Sequence, residues 1–449
     1  MPKTIVWFQD DLRLSDHPAL WAACKRGEVI PVYILDESYK GCRPLGGASR
    51  WWLHHSLKSL EKSLGELVLR KGDALEHLQE IAKTYGADAI YCSKSFNPLQ
   101  RGRDQKIADF FGASFQTFPG TLLFEPQAVK NKQGLPFKVF TPFWKECLRR
   151  EITGGCLQKP DNIKITPDVN SNQLEDWSLL PTKPDWSKGL QQAWKPGEDE
   201  AHRLLTSFLA DKVYNYKEGR DFPAIECTSR LSPYLRFGEI SPKQVWMAAA
   251  AAGDDKNIVH FMQELVWREF SYNLICNFPY MIEAPFNKKF ESFPWQPNEK
   301  FLQAWQLGKM GYPIADAGMR ELWQTGYMHN RVRMIVGSLL TKHMLIHWKQ
   351  GEEWFWDTLV DADIASNVAN WQWVAGSGAD AQPYFRIFNP ILQGKKFDPE
   401  GKYVRKWVPE VVNLSNDKIH APWEAGMPKP VVPHEEGRER ALQAYEHIK

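Results

Sequence analysis

No run of apolar residues in this chain reaches the ~20 needed to cross a bilayer as a helix. Its first residues, MPKTIVWF, also lack the layout of a secretory signal. Cysteine is scarce. The seven, at 24, 42, 92, 147, 156, 227 and 276, form no C-x-x-C, which excludes a zinc ribbon or a disulfide framework and fits reduced thiols in the cytoplasm. Neither sign of charge prevails: 56 Lys and Arg face 54 Asp and Glu, so bulk charge announces no polyanionic partner. Phosphate-cradling loops are missing too, since no G-x-G-x-x-G or G-x-x-x-x-G-K-[ST] follows a predicted strand. His343 and His347 stand four apart but lack the glutamate of H-E-x-x-H, so they read as packed histidines and no metal site is expected. Internal repeats and low-complexity tracts are absent.

What is present is aromatic. Twenty tryptophans occur, twelve of them between Trp246 and Trp423, more than a helical core alone asks for. Charge is unevenly placed: residues 301–350 carry six Lys/Arg against two Asp/Glu, and 351–400 carry three against eight. The densest stretch runs from Asp361 to Pro390. It combines Asp361, Asp363, Asn367, Asn370, Trp371 and Trp373, passes through Gly376 and Gly378, and closes on Tyr384, Phe385 and Arg386. Small residues admit a large flat body, amides offer paired donors and acceptors, and Trp offers stacking surface. A planar, hydrogen-bonding ligand is expected there.

At 449 residues the chain exceeds a single core and is expected to form two or three domains. Residues 1–130 alternate predicted strands (Thr4–Phe8, Val29–Leu35, Glu66–Arg70, Ala89–Ser93, Ser114–Thr117) with helices (His17–Lys25, Arg50–Leu64, Ala74–Tyr85, Gln100–Phe111), which predicts an α/β domain on a parallel sheet. Residues 131–197 are broken by proline and read as a long surface connector with one helix near Phe143–Arg150. From 198 to 449 helical patterns dominate and predict an all-α domain. Ser232-Pro233 and Ser241-Pro242 each look like a capping hydroxyl before a first-turn proline. Asn330–Trp348 has the apolar spacing of one amphipathic helix.

Four clusters carry chemistry. TSRLSPYL (228–235) offers hydroxyls and an arginine at a helix start, suited to an anion or simply to capping. ELVWREF (264–270) sets Glu264, Trp267 and Arg268 on one helix face, either as a site or as an exposed Glu–Arg pair. HNRVRM (329–334) brings Asn330 and Met334 to one face with Arg331 and Arg333 between them, fit for phosphates and a flat base or for a solvated arginine face. Asp361 and Asp363 could be paired acids, though the asparagines and tryptophans beside them favour the flat ligand.

These stretches, with IVWFQDDLRLSDHPAL (5–20), EGRDFP, GYPIADAGMREL, ANWQWVAGSGADAQPYFRIFNP and GKKFDPEGKYVRKWVPE, make eight motifs in order over nearly the whole chain. They resemble the DNA photolyase/cryptochrome family, most closely bacterial cyclobutane-pyrimidine-dimer photolyases of the class I kind. The resemblance implies an α/β antenna domain joined by a long connector to a helical domain that binds FAD, reduced and anionic when active. It implies that Tyr216, Arg220, Thr228, Ser229 and Ser232 hold the FAD phosphates and ribityl chain. Arg333, Asp361, Asp363 and Asn367 would line the flavin ring, with Asn367 at its N5, and Arg230, Leu231, Trp267 and Arg268 would complete the cofactor set.

The substrate implied is DNA containing pyrimidine dimers, with the lesion flipped into a pocket of Glu264, Trp267, Asn330, Met334 and Trp373. Excited reduced flavin would pass an electron to the dimer, whose ring then splits. Glu264, Asn330 and Asn367 are the expected catalytic residues. Glu264 would hydrogen-bond to the dimer, and Arg331 would meet backbone phosphates. Trp371, Trp348 and Trp295 match the family's electron relay, although each also suits a plain core. A second antenna chromophore (folate, deazaflavin or flavin) is left open, because Asn97 stands where folate-binding relatives carry glutamate. Gln9 and Asp10 likewise stand where basic residues are common. A monomer is expected. Rival readings are a blue-light cryptochrome, a (6-4) photolyase and a light-independent flavin oxidoreductase. Asn367 and the short C-terminal tail favour repair over signalling.

Overall fold

A computed structural model describes residues 1–381 and 385–449; Tyr384 of the aromatic close lies outside the described residues. The first 118 residues form a five-stranded parallel sheet of β1 (Lys3–Phe8), β2 (Glu28–Leu35), β3 (Val68–Lys71), β4 (Ala89–Ser93) and β5 (Phe115–Phe118), in the order β3-β2-β1-β4-β5. Each of the first four strands is followed by a helix whose crossover returns the chain parallel: α1 (Pro18–Arg26), α2 (Gly47–Leu64), α3 (Ala74–Tyr85) and α4 (Arg101–Phe111). β1 is central, pairing Ile5 with Ile30 on one side and with Ile90 on the other. Both faces are covered, so its residues are apolar without alternation. Ile5 and Trp7 join Leu78, Ile81 and Ile107 from α3 and α4 on one face. Val6 and Phe8 point the other way, into the large core that also takes in the helical half of the chain. The predicted α/β and all-α halves therefore match the observed architecture.

The connecting segment is less loose than its prolines suggest. Its main helix is Phe140–Cys147, a second and unpredicted one covers Lys188–Ala193, and a 3-10 turn covers Leu174–Trp177. Backbone bonds tie it to the sheet: Val29 N–H donates to Lys164 C=O at 2.8 Å and Thr166 N–H to Val29 C=O at 2.9 Å. Trp177 and Trp194 are buried and anchor it. Removing large apolar area from water offsets the ordering entropy of a long connection.

Among the described residues no strand follows β5. Ser241 caps Pro242–Ala251 as predicted, in a reciprocal box with Gln244. Ser232 does not cap. It is the first residue of the five-residue helix Ser232–Arg236, whose cap, Leu231, makes no side-chain bond, and its hydroxyl is used elsewhere. The expected single helix Asn330–Trp348 is also divided. An α-helix covers Asn330–Ser338, a π turn covers Leu339–His343, and the next helix, Trp348–Thr358, starts after a break in which Leu345 has φ +54°. His343 and His347 fall on either side of that break. His343 Nε2 lies 2.9 Å from His434 Nδ1, and His347 caps the following helix, so both are structural.

Polar contacts fasten the two halves together. Arg236 pairs with Asp10 at 2.7 Å, which gives that acid a countercharge from the other half. Glu269, wholly buried, accepts from Leu123 and Phe124 N–H, and burial pushes its carboxyl up to about 7. Trp356 Nε1–H donates to Pro44 C=O at 2.8 Å.

Candidate active site

The helical half encloses a cavity of about 490 Å³, within the range of pockets that bury a ligand of cofactor size. Its walls come from the helices Lys256–Asn277, Asn330–Ser338 and Ile364–Ala375, from the turn 228–236, and from the loop 359–363. Each helix starts at a defined cap. Asp255 accepts from Asn257 N–H at 2.7 Å, His329 from Arg331 N–H at 3.2 Å, and Asp363 from Ser366 N–H at 2.7 Å. Those caps fix the rotation of the helices and hence which side chains face inward.

One end of the cavity is ionic. Asp361 Oδ2 accepts from Arg333 Nη2–H at 2.9 Å and from Ser232 Oγ–H at 2.7 Å. Arg333 also donates from Nε to Met328 C=O at 2.7 Å. Burial lowers the Arg333 guanidinium, but Asp361 beside it raises it and the net shift is upward, so the guanidinium stays charged. Asp361 Oδ1 is buried with no partner. An orphan acceptor on a cavity wall calls for a donor from a ligand. Asp363 is committed as a cap and accepts from Tyr272 O–H at 2.6 Å. Arg230 holds a left-handed backbone (φ +55°) while its guanidinium stacks 4.0 Å from the Trp194 ring. Backbone strain of this kind persists only where surroundings over-determine it.

Asn367 is buried, and its Nδ2 donates to Glu352 C=O at 2.9 Å and to Glu352 Oε1 at 2.7 Å. Its oxygen is left for the cavity. Glu352 in turn pairs with Arg43 of the α/β half. Neither Arg43 nor Glu352 stood out in the sequence. The pair is 309 residues apart.

The other end is aromatic and amphipathic. Glu264, Trp267, Asn330, Met334 and Trp373 all reach the same cavity. Phe140, from the connector, stacks flat on Trp267 with ring centres 3.7 Å apart and 5° between planes, which braces one face of the indole. Glu264 does not pair with Arg268 along its helix. It is bonded to Arg220, with His260 behind it. Arg268 instead donates to Thr121 C=O at 3.0 Å. Burial opposes the charge on Arg220, yet Tyr216 and Glu264 raise it further, so its net shift is upward. Arg220, expected at phosphates, is thus held against the expected catalytic glutamate. Tyr216, Thr228, Ser229, Leu231 and Ser232 line the wall beside it.

Arg331 is not on that wall. It pairs with Asp221 at 2.7 Å and covers the Phe397 ring at 4.2 Å. Asn97 spends its side-chain oxygen on Leu99 N–H. Trp371 lines the cavity and packs edge-on to Phe355 (4.9 Å) and Trp305 (6.1 Å). Trp348 is buried, Trp295 half-buried, and His347 sits between their rings at 5.5 and 5.1 Å. Asn370, singled out with Asn367, also reaches the wall; wall residues that sequence reasoning passed over include Phe261, Tyr327 and Arg236.

These residues suit a flavin nucleotide: hydroxyls and arginines for a pyrophosphate, and an acceptor set (Asp361 Oδ1, Asn367 oxygen) for ring N–H groups. Comparison with known proteins agrees. Residues 261–447 match the family model described as the FAD binding domain of DNA photolyase, and residues 4–161 match the DNA photolyase model. The chain is 48% identical to a deoxyribodipyrimidine photo-lyase of Agrobacterium fabrum, over 99% of this chain and 98% of that one. It is 36% identical to cryptochrome-1 of Arabidopsis thaliana, over 94% of this chain and 65% of that one. The crystal structure of a bacterial class III photolyase from Agrobacterium tumefaciens superposes with a TM-score of 0.96 at 47% identity, covering 100% and 98% of the two chains.

Proposed function

This chain belongs to the DNA photolyase/cryptochrome family, and from that premise we propose that it is a deoxyribodipyrimidine photo-lyase that repairs cyclobutane pyrimidine dimers in DNA under light. The observation that carries the reading is the single cavity holding both the Arg333–Asp361–Ser232 cluster and the Glu264/Trp267/Asn330/Met334/Trp373 set. FAD, when bound in its reduced form, supplies the light-excited electron donor.

The chain's own residues do the rest. Arg333 and Ser232 hold Asp361 so that its free oxygen can accept from the flavin ring, and Asn367 presents a second acceptor. Tyr216, Arg220, Thr228, Ser229, Arg230 and Leu231 surround the phosphates and ribityl chain. Trp267, stiffened by Phe140, and Trp373 wall a flipped lesion, and Met334 supplies an adaptable apolar contact. Asn330 and Glu264 offer polar groups to the base edges. Because Glu264 is tied to Arg220, substrate binding exchanges part of that contact for one with the lesion. Trp371, Trp348 and Trp295 deliver electrons to oxidised FAD. Arg331 reaches DNA phosphates by swinging from Asp221.

We assign the protein to the class III kind and not to class I, since its likeness to the class III structure extends over the entire chain. The division into an α/β antenna domain (1–130), a connector (131–197) and a catalytic domain (198–449) goes with this reading, as does a monomer. Seven free cysteines support a cytoplasmic location, and among the described residues no helix is long and apolar enough to cross a membrane.

The test is illumination of the reduced, FAD-loaded protein with oligonucleotides carrying either a cyclobutane dimer or a (6-4) product, against dark controls. Light-dependent loss of the cyclobutane dimer alone is expected. Loss of the (6-4) product alone would reassign the substrate, and loss of neither would favour a photoreceptor.

A further inference from the structure

The group facing the flavin at Asn367 is set from outside the helical half. Arg43 stands in the segment that leads into α2. Its guanidinium forms two bonds to Glu352, Nη1 to Oε1 at 2.6 Å and Nη2 to Oε2 at 3.1 Å. The Glu352 side chain has no exposed surface, and that of Arg43 is 22% exposed. Around them the same segment clasps the helix Trp348–Thr358. Arg43 lies over the Trp356 ring at 4.3 Å, Trp356 donates to Pro44, and Gly47 N–H donates to Asp357 Oδ1 at 2.8 Å. Gly46 allows this approach, since a Cβ there would stand 2.2 Å from Trp356 C=O.

Glu352 then decides which way the Asn367 amide faces. A backbone carbonyl only accepts, so the end of the amide turned to Glu352 C=O must be the NH2. The carboxylate Oε1 takes a further bond from that nitrogen. Both amide hydrogens are used, and the carbonyl oxygen is the end presented to the cavity. A free amide could serve either a protonated or a bare ring nitrogen; an amide locked in this way serves only a ring N–H.

We propose that Arg43 is a positioning residue of the flavin site: by pairing Glu352 it locks the Asn367 amide oxygen toward the cofactor and so favours the protonated ring nitrogen. The α/β half thereby tunes the redox chemistry of a site it does not line. This rests on the reading of Asn367 as the residue at flavin N5. Without Arg43 the buried Glu352 carboxylate loses its countercharge and two bonds, a costly state that is relieved when the side chain turns away from Asn367. Asn367 then keeps one bond in place of two, that to Glu352 C=O, and its amide is held less firmly toward the cofactor.

The experiment is a double-mutant cycle on FAD-loaded protein with Arg43→Met, Asn367→Ala and the combination. It is read as the midpoint potential of bound FAD against pH and as FAD stoichiometry. Arg43→Met is expected to keep FAD bound and to change the balance of protonated to bare flavin about tenfold, roughly 59 mV for a one-electron couple. Asn367→Ala should do the same, and the double variant should add nothing. Arg43→Lys, which keeps charge but loses the fork, should fall between Arg43→Met and the unaltered protein. If Arg43→Met does not fold, Glu352→Gln replaces it with the same expectation. A shift in Asn367→Ala but none in Arg43→Met overturns the proposal and leaves the site reading intact. Additive shifts also overturn it, since Arg43 would then act by another route. No shift in either variant removes Asn367 from N5, and the site reading fails with it.

Discussion

Gly351 is the position where one added methyl group should be felt both in stability and in electron delivery. It lies one turn into the helix that begins at Trp348, and Trp371 from the neighbouring helix lies directly on it. A Cβ there would sit 2.1, 2.5 and 2.6 Å from three ring carbons of Trp371. Carbon atoms in contact prefer ~3.5–4.0 Å, so the ring or the helix must give by more than about 1 Å. Neither has room. Trp371 is 3% exposed and is flanked by Phe355 and Trp305.

Overpacking of a closed core costs about 1–3 kcal/mol, and this contact belongs at the upper end. For a helical half of roughly 250 residues, ~3 kcal/mol lowers Tm by about 6 °C. The displaced ring is also the cavity-lining member of the tryptophan series, so photoreduction of bound FAD should slow in Gly351→Ala. Gly155→Ala is the control. Nothing lies within 4 Å of its added Cβ, and an open surface change stays within ~0.5 kcal/mol. Calorimetry and flavin bleaching under blue light read the two effects. If Gly351→Ala melts with Gly155→Ala and photoreduces like the unaltered protein, the packing argument is wrong.

Glu264→Ala should lower the yield of dimer splitting while leaving FAD bound, since the arginine it frees, Arg220, remains on the cavity wall; loss of FAD would mean that the glutamate serves the cofactor instead. Trp295→Phe and Trp348→Phe should slow photoreduction yet spare repair by chemically pre-reduced enzyme, and equal loss in both assays would refute the relay. Burial pushes the His329 imidazole down from 6.5 to about 4, so between those values the unfolded chain binds a proton that the folded one refuses. Stability contributed by neutral His329 is therefore complete above about pH 6.5 and falls as pH drops toward 4, by about 3 kcal/mol at most. In His329→Asn, which can still cap the helix, the slope of unfolding free energy against pH across that window should be shallower by up to one proton; an unchanged slope would sink this assignment.

Much of this protein is written in local pattern. The inner strands β1, β2 and β4 are mostly apolar because they are buried on both faces, and the helical crossovers between successive strands leave parallel pairing as the outcome. The capping box at Ser241 and the shared face of Glu264 and Trp267 follow from helix periodicity, which needs no knowledge of what lies opposite. The motifs of the helical half contain Glu264, Trp267, Asn330, Met334 and Trp373, which share one cavity, and also Arg331, which lies off its wall. What the local pattern left undecided was every choice between competing partners. Ser232 had the sequence of a cap, but Asp361 lay within reach and took its hydroxyl. Glu264 had Arg268 four residues on, but the chain brought Arg220 to it. Asn330–Trp348 had one helical period, but the fold breaks it and starts a new helix at Trp348, with His347 as its cap. Arg43 and Glu352 carried no signal, since a buried ion pair is made by two distant residues that each look like surface charge alone. Periodicity reports which face of an element is apolar; only the packed fold determines which polar groups are near enough to satisfy one another, and at this site those pairings orient the chemistry.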